Sequence, residues 1–213
     1  IAESASPLFR LAPYIVFGAM VAAAAVIPSM GTGLPFRSAA DAIALVGLLA
    51  IARVFMSLAA MDIGTAFGTL GARRDMMIGF LAEPALLMVI FVASLLSATT
   101  ALPLIAERLV VQPLALYPSL AFTAVAFTMV LLAENARIPV DNPATHLELT
   151  MIHEAMLLEY SARHLALMEW AAALKLFNYA CIGFALFVPW GASIGSTGSG
   201  ALALSLPALL AKL

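Results

Sequence analysis

AENARIPVDNPATHLELTMIHEAMLLEYSARHLALMEW, residues 133–170, holds six of the chain's twelve carboxylates and all three of its histidines. On both sides of it the sequence is nearly pure hydrocarbon. The chain of 213 residues is 64% hydrophobic and 10% charged, with a mean hydropathy of +1.07. An ordinary soluble domain carries about 25% charged residues. Runs of about 20 apolar residues match the hydrocarbon thickness of a bilayer. Composition therefore predicts an all-α fold: a polytopic membrane helix bundle, one membrane domain over 1–213, with a polar device between apolar walls.

Outward from that stretch the spans fall at about 11–30, 39–61, 78–98, 114–133 and 165–189, with a sixth starting at about 201. Pro13 is expected near the start of the first span, where a missing N–H is tolerated. Arg53 lies within the second, Glu83 about one turn inside the third, and Glu169 and Lys175 inside the fifth. DIGTAFGTLGARRDMM, 62–77, reads as a glycine-rich polar loop, 99–113 as a loop able to hold a short surface helix, and 191–200 as a flexible linker. No soluble domain and no internal repeat is expected. Ile1 in place of a methionine, and the apolar run in which Leu213 falls, point to further sequence at both ends.

Alternating spans put Arg10, Arg73, Arg74, Arg137 and Arg163 on one side, against Arg37 and Arg108 on the other. The positive-inside rule makes the first side cytoplasmic. The loops at about 62–77 and 134–163 then face the cytoplasm, where a soluble partner could dock. The net charge of −2 decides nothing, because orientation follows the placement of Lys and Arg. Apart from the pair Arg73-Arg74 the basic residues are scattered, which excludes a nucleic-acid surface. The single cysteine, Cys181, cannot form an internal disulfide or a cysteine-based metal site and reads as an inert buried thiol.

Within the polar stretch, Pro139 and Pro143 bias the residues before them away from the α region. RIPVDNP thus interrupts helix, with Asp141 and Asn142 able to satisfy nearby backbone N–H groups. Residues 144–160 read as helix. Glu148 and Glu159 return to nearly one face, and His146 and His153 share another. The two histidines are too far apart for the i, i+4 pair of a helical zinc motif. Glu159 and Arg163 form an i, i+4 pair in the favourable order. A carboxylate at the centre of a membrane helix costs about 2.5–3.5 kcal/mol on insertion scales and usually faces a bundle interior or a water-filled path. Two readings stand: a proton relay, or salt bridges tying the fold and a docked subunit together.

AENARIPVDNPATHLELTMIHEAMLLEYS resembles the signature of the respiratory complex I subunit 1 family, the H subunit of bacterial NADH–quinone oxidoreductase. It looks closest to the branch in membrane-bound group 4 [NiFe] hydrogenases, the formate hydrogenlyase subunit 4-like branch. The quinone-reducing branch reads AETNRxPFDLxEGExEL followed by EY. Glu134, Arg137, Pro139, Asp141, Glu148 and Leu149 match in register, and Glu159-Tyr160 match the later EY across a small insertion. Ala144 and His146 replace two acids of EGExEL, and NPATHLELTMIHEAM is similar to the hydrogenase branch. SPLFRLAPYIVFGAM, AFGTLGARRDMM and AEPALL extend the resemblance over nearly the whole chain.

The resemblance implies a membrane-arm heel subunit of a complex I-related hydrogenase. Such a subunit anchors the peripheral redox arm and starts the proton path towards antiporter-like membrane subunits. The implied proton pathway is Glu83, Glu134, Asp141, Glu148, Glu154, Glu159, Glu169 and Lys175. The implied peripheral-arm interface is Arg73, Arg74, Asp75, Arg137, His146, His153 and Arg163. No cofactor is expected on this chain; Fe–S clusters and a [NiFe] site would belong to the hydrogenase-like large and small subunits. The implied location is a bacterial cytoplasmic (inner) membrane. The alternatives are a purely structural anchor without proton conduction, and a quinone-chamber subunit of an NADH–quinone oxidoreductase.

Overall fold

A computed structural model describes residues 6–28, 41–111, 118–137, 140 and 152–188. Seven helices run through these residues: α1 Pro7–Val26, α2 Ala42–Asp62, α3 Ala66–Ser97, α4 Leu102–Val111, α5 Pro118–Glu134, α6 Ile152–Leu157 and α7 Ala162–Phe187. Four of them, α1, α2, α3 and α7, are long and apolar enough to cross a membrane, and α5 is a shorter apolar helix. The membrane helix bundle read from composition is the observed fold. The expected sixth span, the 191–200 linker, the turn at 31–38 and residues 141–151 lie outside the described residues.

The bundle is built around α1 and α2, which pack along their length, with α7 on the other side of α1, and with α3 on α2. Small residues make the close approach possible: Ala12, Ala19 and Ala23 of α1 and Ala42, Ala52 and Ala59 of α2 are all buried. Lipid offers hydrocarbon no less apolar than leucine, so helices associate where small side chains let backbones come near. The outer faces carry the large side chains. Met77, Phe80, Leu81 and Phe122 are at least 73% exposed, a surface suited to lipid rather than water.

The first three helices start at side-chain caps. Ser6 caps α1 by accepting from the Phe9 N–H at 3.1 Å, Asp41 caps α2 through Ile43, and Thr65 caps α3 through Gly68. α3 ends at Ala98, which is left-handed at φ 50° and donates its N–H back to Leu95 and Ser94. The neighbouring loop is tied to α2: Ala42 N–H donates to the Thr100 carbonyl at 3.0 Å. Arg108 of α4 donates to the Ser97 carbonyl, satisfying one orphan acceptor at the end of α3.

Three expectations need correction. The glycine-rich loop at 62–77 is a turn only up to Thr65; from Ala66 the chain is helical. Its glycines serve packing instead of flexibility. A Cβ on Gly71 would lie 3.0 Å from the Ile152 carbonyl and 3.1 Å from Ala155 Cβ, so glycine lets α6 rest on α3 without either helix giving way. Because α3 starts early, Glu83 sits near the middle of a 32-residue helix and not one turn inside its end. Likewise α1 begins at Pro7, so Pro13 is interior; with no N–H it leaves one turn of the helix without its i→i−4 bond.

Two buried hydrogen bonds fasten α1 to the C-terminal helices. Asn178 of α7 donates to the Met20 carbonyl at 2.9 Å, and the Tyr160 hydroxyl, between α6 and α7, donates to the Phe9 carbonyl at 3.1 Å. The Tyr160 ring also stacks on Phe9, centroids 4.1 Å apart. Together with the Ser6–Asp62 hydrogen bond, these contacts bring the starts of α1 and α7 and the end of α2 to one end of the bundle. Burial, with Asp62 nearby, pushes the Tyr160 hydroxyl well above its ordinary titration range.

Candidate functional site

The site begins with a stripe on α3. Asp75, Gly79 and Glu83 are spaced by four, so they rise one above another on one helix face. Arg53 of α2 lies across that stripe. A Cβ on Gly79 would clash with Arg53 Nη1 and come within 2.8 Å of its Cδ, so the missing side chain at 79 is the seat of the guanidinium. Seated there, Arg53 reaches both neighbours: Nε is 3.5 Å from Asp75 Oδ2 and Nη1 is 3.8 Å from Glu83 Oε1. Ser57, one turn along α2, donates to the same Asp75 oxygen at 3.1 Å.

The strongest partner comes from the start of the polar stretch. Arg53 Nη2 is 2.7 Å from Oε2 of Glu134, the last residue of α5. The same oxygen is 3.0 Å from Lys175 Nζ on α7. Tyr179, one turn beyond Lys175, lies close enough to Glu134 to feel its charge. Four helices thus converge on three carboxylates and two cations, which leaves one net negative charge. The Arg53 and Glu134 side chains are only 6% and 4% exposed. A single buried ion would cost several kcal/mol, which close opposite charges offset. Still, the three guanidinium nitrogens and Glu134 Oε1 lack partners in hydrogen-bond geometry. Charge at ion-pair distance holds the cluster, and directed hydrogen bonds contribute little.

From the cluster a cavity of about 500 Å³ opens towards the polar end of the bundle. Its floor is Arg53, Asp75, Glu134 and Lys175. Its apolar wall includes Val16 and Met20 of α1, Leu49 of α2 and Met168 of α7, and its polar rim is Arg137, His153, Glu154 and Glu169. Glu154, Glu169 and Arg137 are exposed at this rim.

Of the residues expected in a proton pathway, the structure therefore joins Glu83, Glu134 and Lys175 in ion-pair contact and puts Glu154 and Glu169 on the same cavity. Glu159 is exposed on the turn after α6, outside the cavity lining. Ser161 is extended between Glu159 and Arg163, so the helical i, i+4 register expected for that pair is broken. Asp141 and Glu148 lie outside the described residues, as does His146. Among the interface candidates, Arg73 and Arg74 are exposed on α3, and Arg163 is exposed at the start of α7. Asp75 instead turns inward to Arg53. Helix expected over 144–160 is seen at Ile152–Leu157 within the described part. Sequence reading passed over Arg53 as a site residue; the available signal was a lone guanidinium in an apolar helix, which demands a partner. Among the described residues no group of three or more His, Cys, Asp or Glu is placed to hold a metal.

Comparison with known proteins follows the same lines. A family model described as NADH dehydrogenase matches residues 1–212. Formate hydrogenlyase subunit 4 of Escherichia coli (strain K12) is 32% identical over 206 residues, 97% of this chain and 66% of that protein. Hydrogenase-4 component C of the same organism is 34% identical over 188 residues, 88% of this chain and 58% of that protein. The chain thus spans about two thirds or less of the curated relatives it matches. Among solved structures, a chain of the membrane-bound sulfane sulfur reductase, an archaeal respiratory membrane complex, superposes with a TM-score of 0.76 at 20% identity. That match covers 100% of this chain and 69% of the other, a likeness of fold.

Proposed function

The chain belongs to the NADH dehydrogenase family, in its complex I subunit 1-like form, and from that premise we propose that it is the heel subunit of a membrane-bound hydrogenase. In this reading it anchors a peripheral redox arm and starts a proton path towards antiporter-like membrane subunits. The observation that carries the reading is the row Asp75–Arg53–Glu134–Lys175, with Arg53 and Glu134 buried and the other two half-buried, at the floor of a cavity whose rim is ionisable. Carboxylates held inside a membrane bundle next to a polar cavity have the chemistry to take and pass protons. The names of the two curated relatives favour the hydrogenase branch over a quinone-reducing one. The rim end, with Arg73, Arg74 and Arg163 exposed, would face the cytoplasm of a bacterial inner membrane and receive the hydrogenase-like large and small subunits. Those subunits would carry the Fe–S clusters and the [NiFe] site.

A proton entering at the rim would pass Glu154 or Glu169 and reach Glu134, with Lys175 and Arg53 steadying the ionised form. Glu83 lies beyond Arg53 on the far side of the cluster. Glu134→Gln in the assembled complex should lower proton-coupled turnover by about tenfold or more, the scale on which a positioned proton-transfer group counts. The peripheral arm should still co-purify. Unchanged coupling would remove Glu134 from the path; loss of the arm with normal coupling in whatever complex forms would favour the structural-anchor reading, which the exposed basic residues at the same end support.

A further inference from the structure

We propose that Arg53 is a positioning residue that makes the charges of Glu83 and Glu134 depend on one another, an inference that rests on the proton-path reading for its use but not for its measurement. One guanidinium serves carboxylates on two different helices. Its Nη2 holds Glu134 of α5 at 2.7 Å, while its Nη1 stands 3.8 Å from Glu83 of α3, just beyond hydrogen-bond reach. The side chain is confined. Gly79 leaves room for it directly above the α3 backbone, and Asp75 fixes the Nε end at 3.5 Å. The fork sits between Glu134 and Glu83, with its shorter contact on the Glu134 side.

The consequence is electrostatic. When Glu134 takes a proton it no longer attracts Nη2, and the full charge of Arg53 turns to Asp75 and Glu83. Glu83 is then better held as an anion and gives up any proton it carries. When Glu134 is ionised, Arg53 is drawn off and Glu83 accepts a proton more readily. Loading the cavity side therefore makes the far side harder to load. The groups facing this exchange are Arg53 and Ser57 from α2, Asp75 and Glu83 from α3, Glu134 from α5, and Lys175 and Tyr179 from α7. Among the described residues Lys175 forms an ion pair with Glu134 and not with Glu83, so it biases one side without linking the two. Coupling of this kind is reciprocal: Glu83 must act on Glu134 by the same factor.

The test is infrared titration of the purified complex in lipid, with the carboxylic-acid bands of Glu83 and Glu134 assigned from E83Q and E134Q. With Arg53 in place, E134Q mimics the protonated state. It should displace the Glu83 acid band to a proton concentration higher by up to about fivefold, the most that a half-solvated ion pair supports. E83Q should displace the Glu134 band equally. R53K keeps the charge but loses the fork, and should at least halve both displacements. Gly79→Ala, which unseats the guanidinium without removing it, is the second variant should R53K fail to assemble. Displacements of equal size in wild type and R53K would mean direct repulsion between the carboxylates and would overturn the proposal, as would no displacement at all. Proton-coupled turnover measured alongside keeps the two claims apart: normal turnover in E134Q with intact spectroscopic coupling sinks the path and leaves the coupling standing.

Discussion

At the scale of single residues, distance and burial rank the partners of Arg53. Glu134 is 2.7 Å away with a side chain 4% exposed, whereas Glu83 is 3.8 Å away and 35% exposed. Removing one member of a buried pair leaves an uncompensated charge and costs about 3–5 kcal/mol, while a half-solvated pair is worth about 1 kcal/mol or less. Glu134→Ala should therefore lower the thermal unfolding midpoint in detergent far more than Glu83→Ala; equal losses would show that the pairing with Glu134 does not dominate. This ranking could not be read from sequence. Arg53 stands alone in an apolar run, and its isolation announces a cost without naming who offsets it. Asp75, next to Arg73-Arg74, looked like part of a surface charge group, and only the four-residue spacing to Gly79 turns it inward. Glu134 was legible, because it opens the one polar stretch in the chain.

At the scale of elements, the apolar runs placed α1, α2, α5 and α7 to within a few residues and α3 at its end but not its start, since hydrophobic length is the signal a bilayer selects. The error at 62–77 came from glycine. Glycine lowers helix propensity by about 1 kcal/mol relative to alanine, but it also removes the side chain that would hold two helices apart, and the second effect prevails at Gly71. Gly71→Leu should lift α6 from α3, and amide exchange over 152–157 should quicken while α1 and α2 keep their protection. The link from α6 to α7 carries its own signature. Tyr160 is neutral, buried and bonded to the Phe9 carbonyl, and its titration is raised above the ordinary value of 10.0. A raised phenol favours the folded state fully below its unfolded value, and that contribution declines as pH rises beyond about 10. Stability measured against pH should fall on the alkaline side, and Tyr160→Phe should flatten that limb. It should also cost about 1 kcal/mol at neutral pH for the lost hydrogen bond.

At the scale of the whole molecule the two ends differ in kind. One end gathers the cavity, its charged rim and the exposed arginines; the other is closed by caps, by the Ala42–Thr100 hydrogen bond and by Arg108 on Ser97. The sequence predicts five arginines on one side and two on the other; Arg37, one of the two, lies outside the described residues. The left-handed Ala98 belongs to the closed end. An alanine at φ 50° carries a steric cost of about 1–2 kcal/mol that glycine does not, and glycine recovers part of it after the extra freedom it brings to the unfolded chain. Ala98→Gly should raise the unfolding midpoint modestly. Because Ala98 caps the end of α3 far from Asp75 near its start, its gain should add to the effect of substitutions at Arg53 or Glu134 within about 0.5 kcal/mol. The far cap is thus a tuning point: a background in which weakened variants of the charge cluster stay folded long enough for their chemistry to be measured.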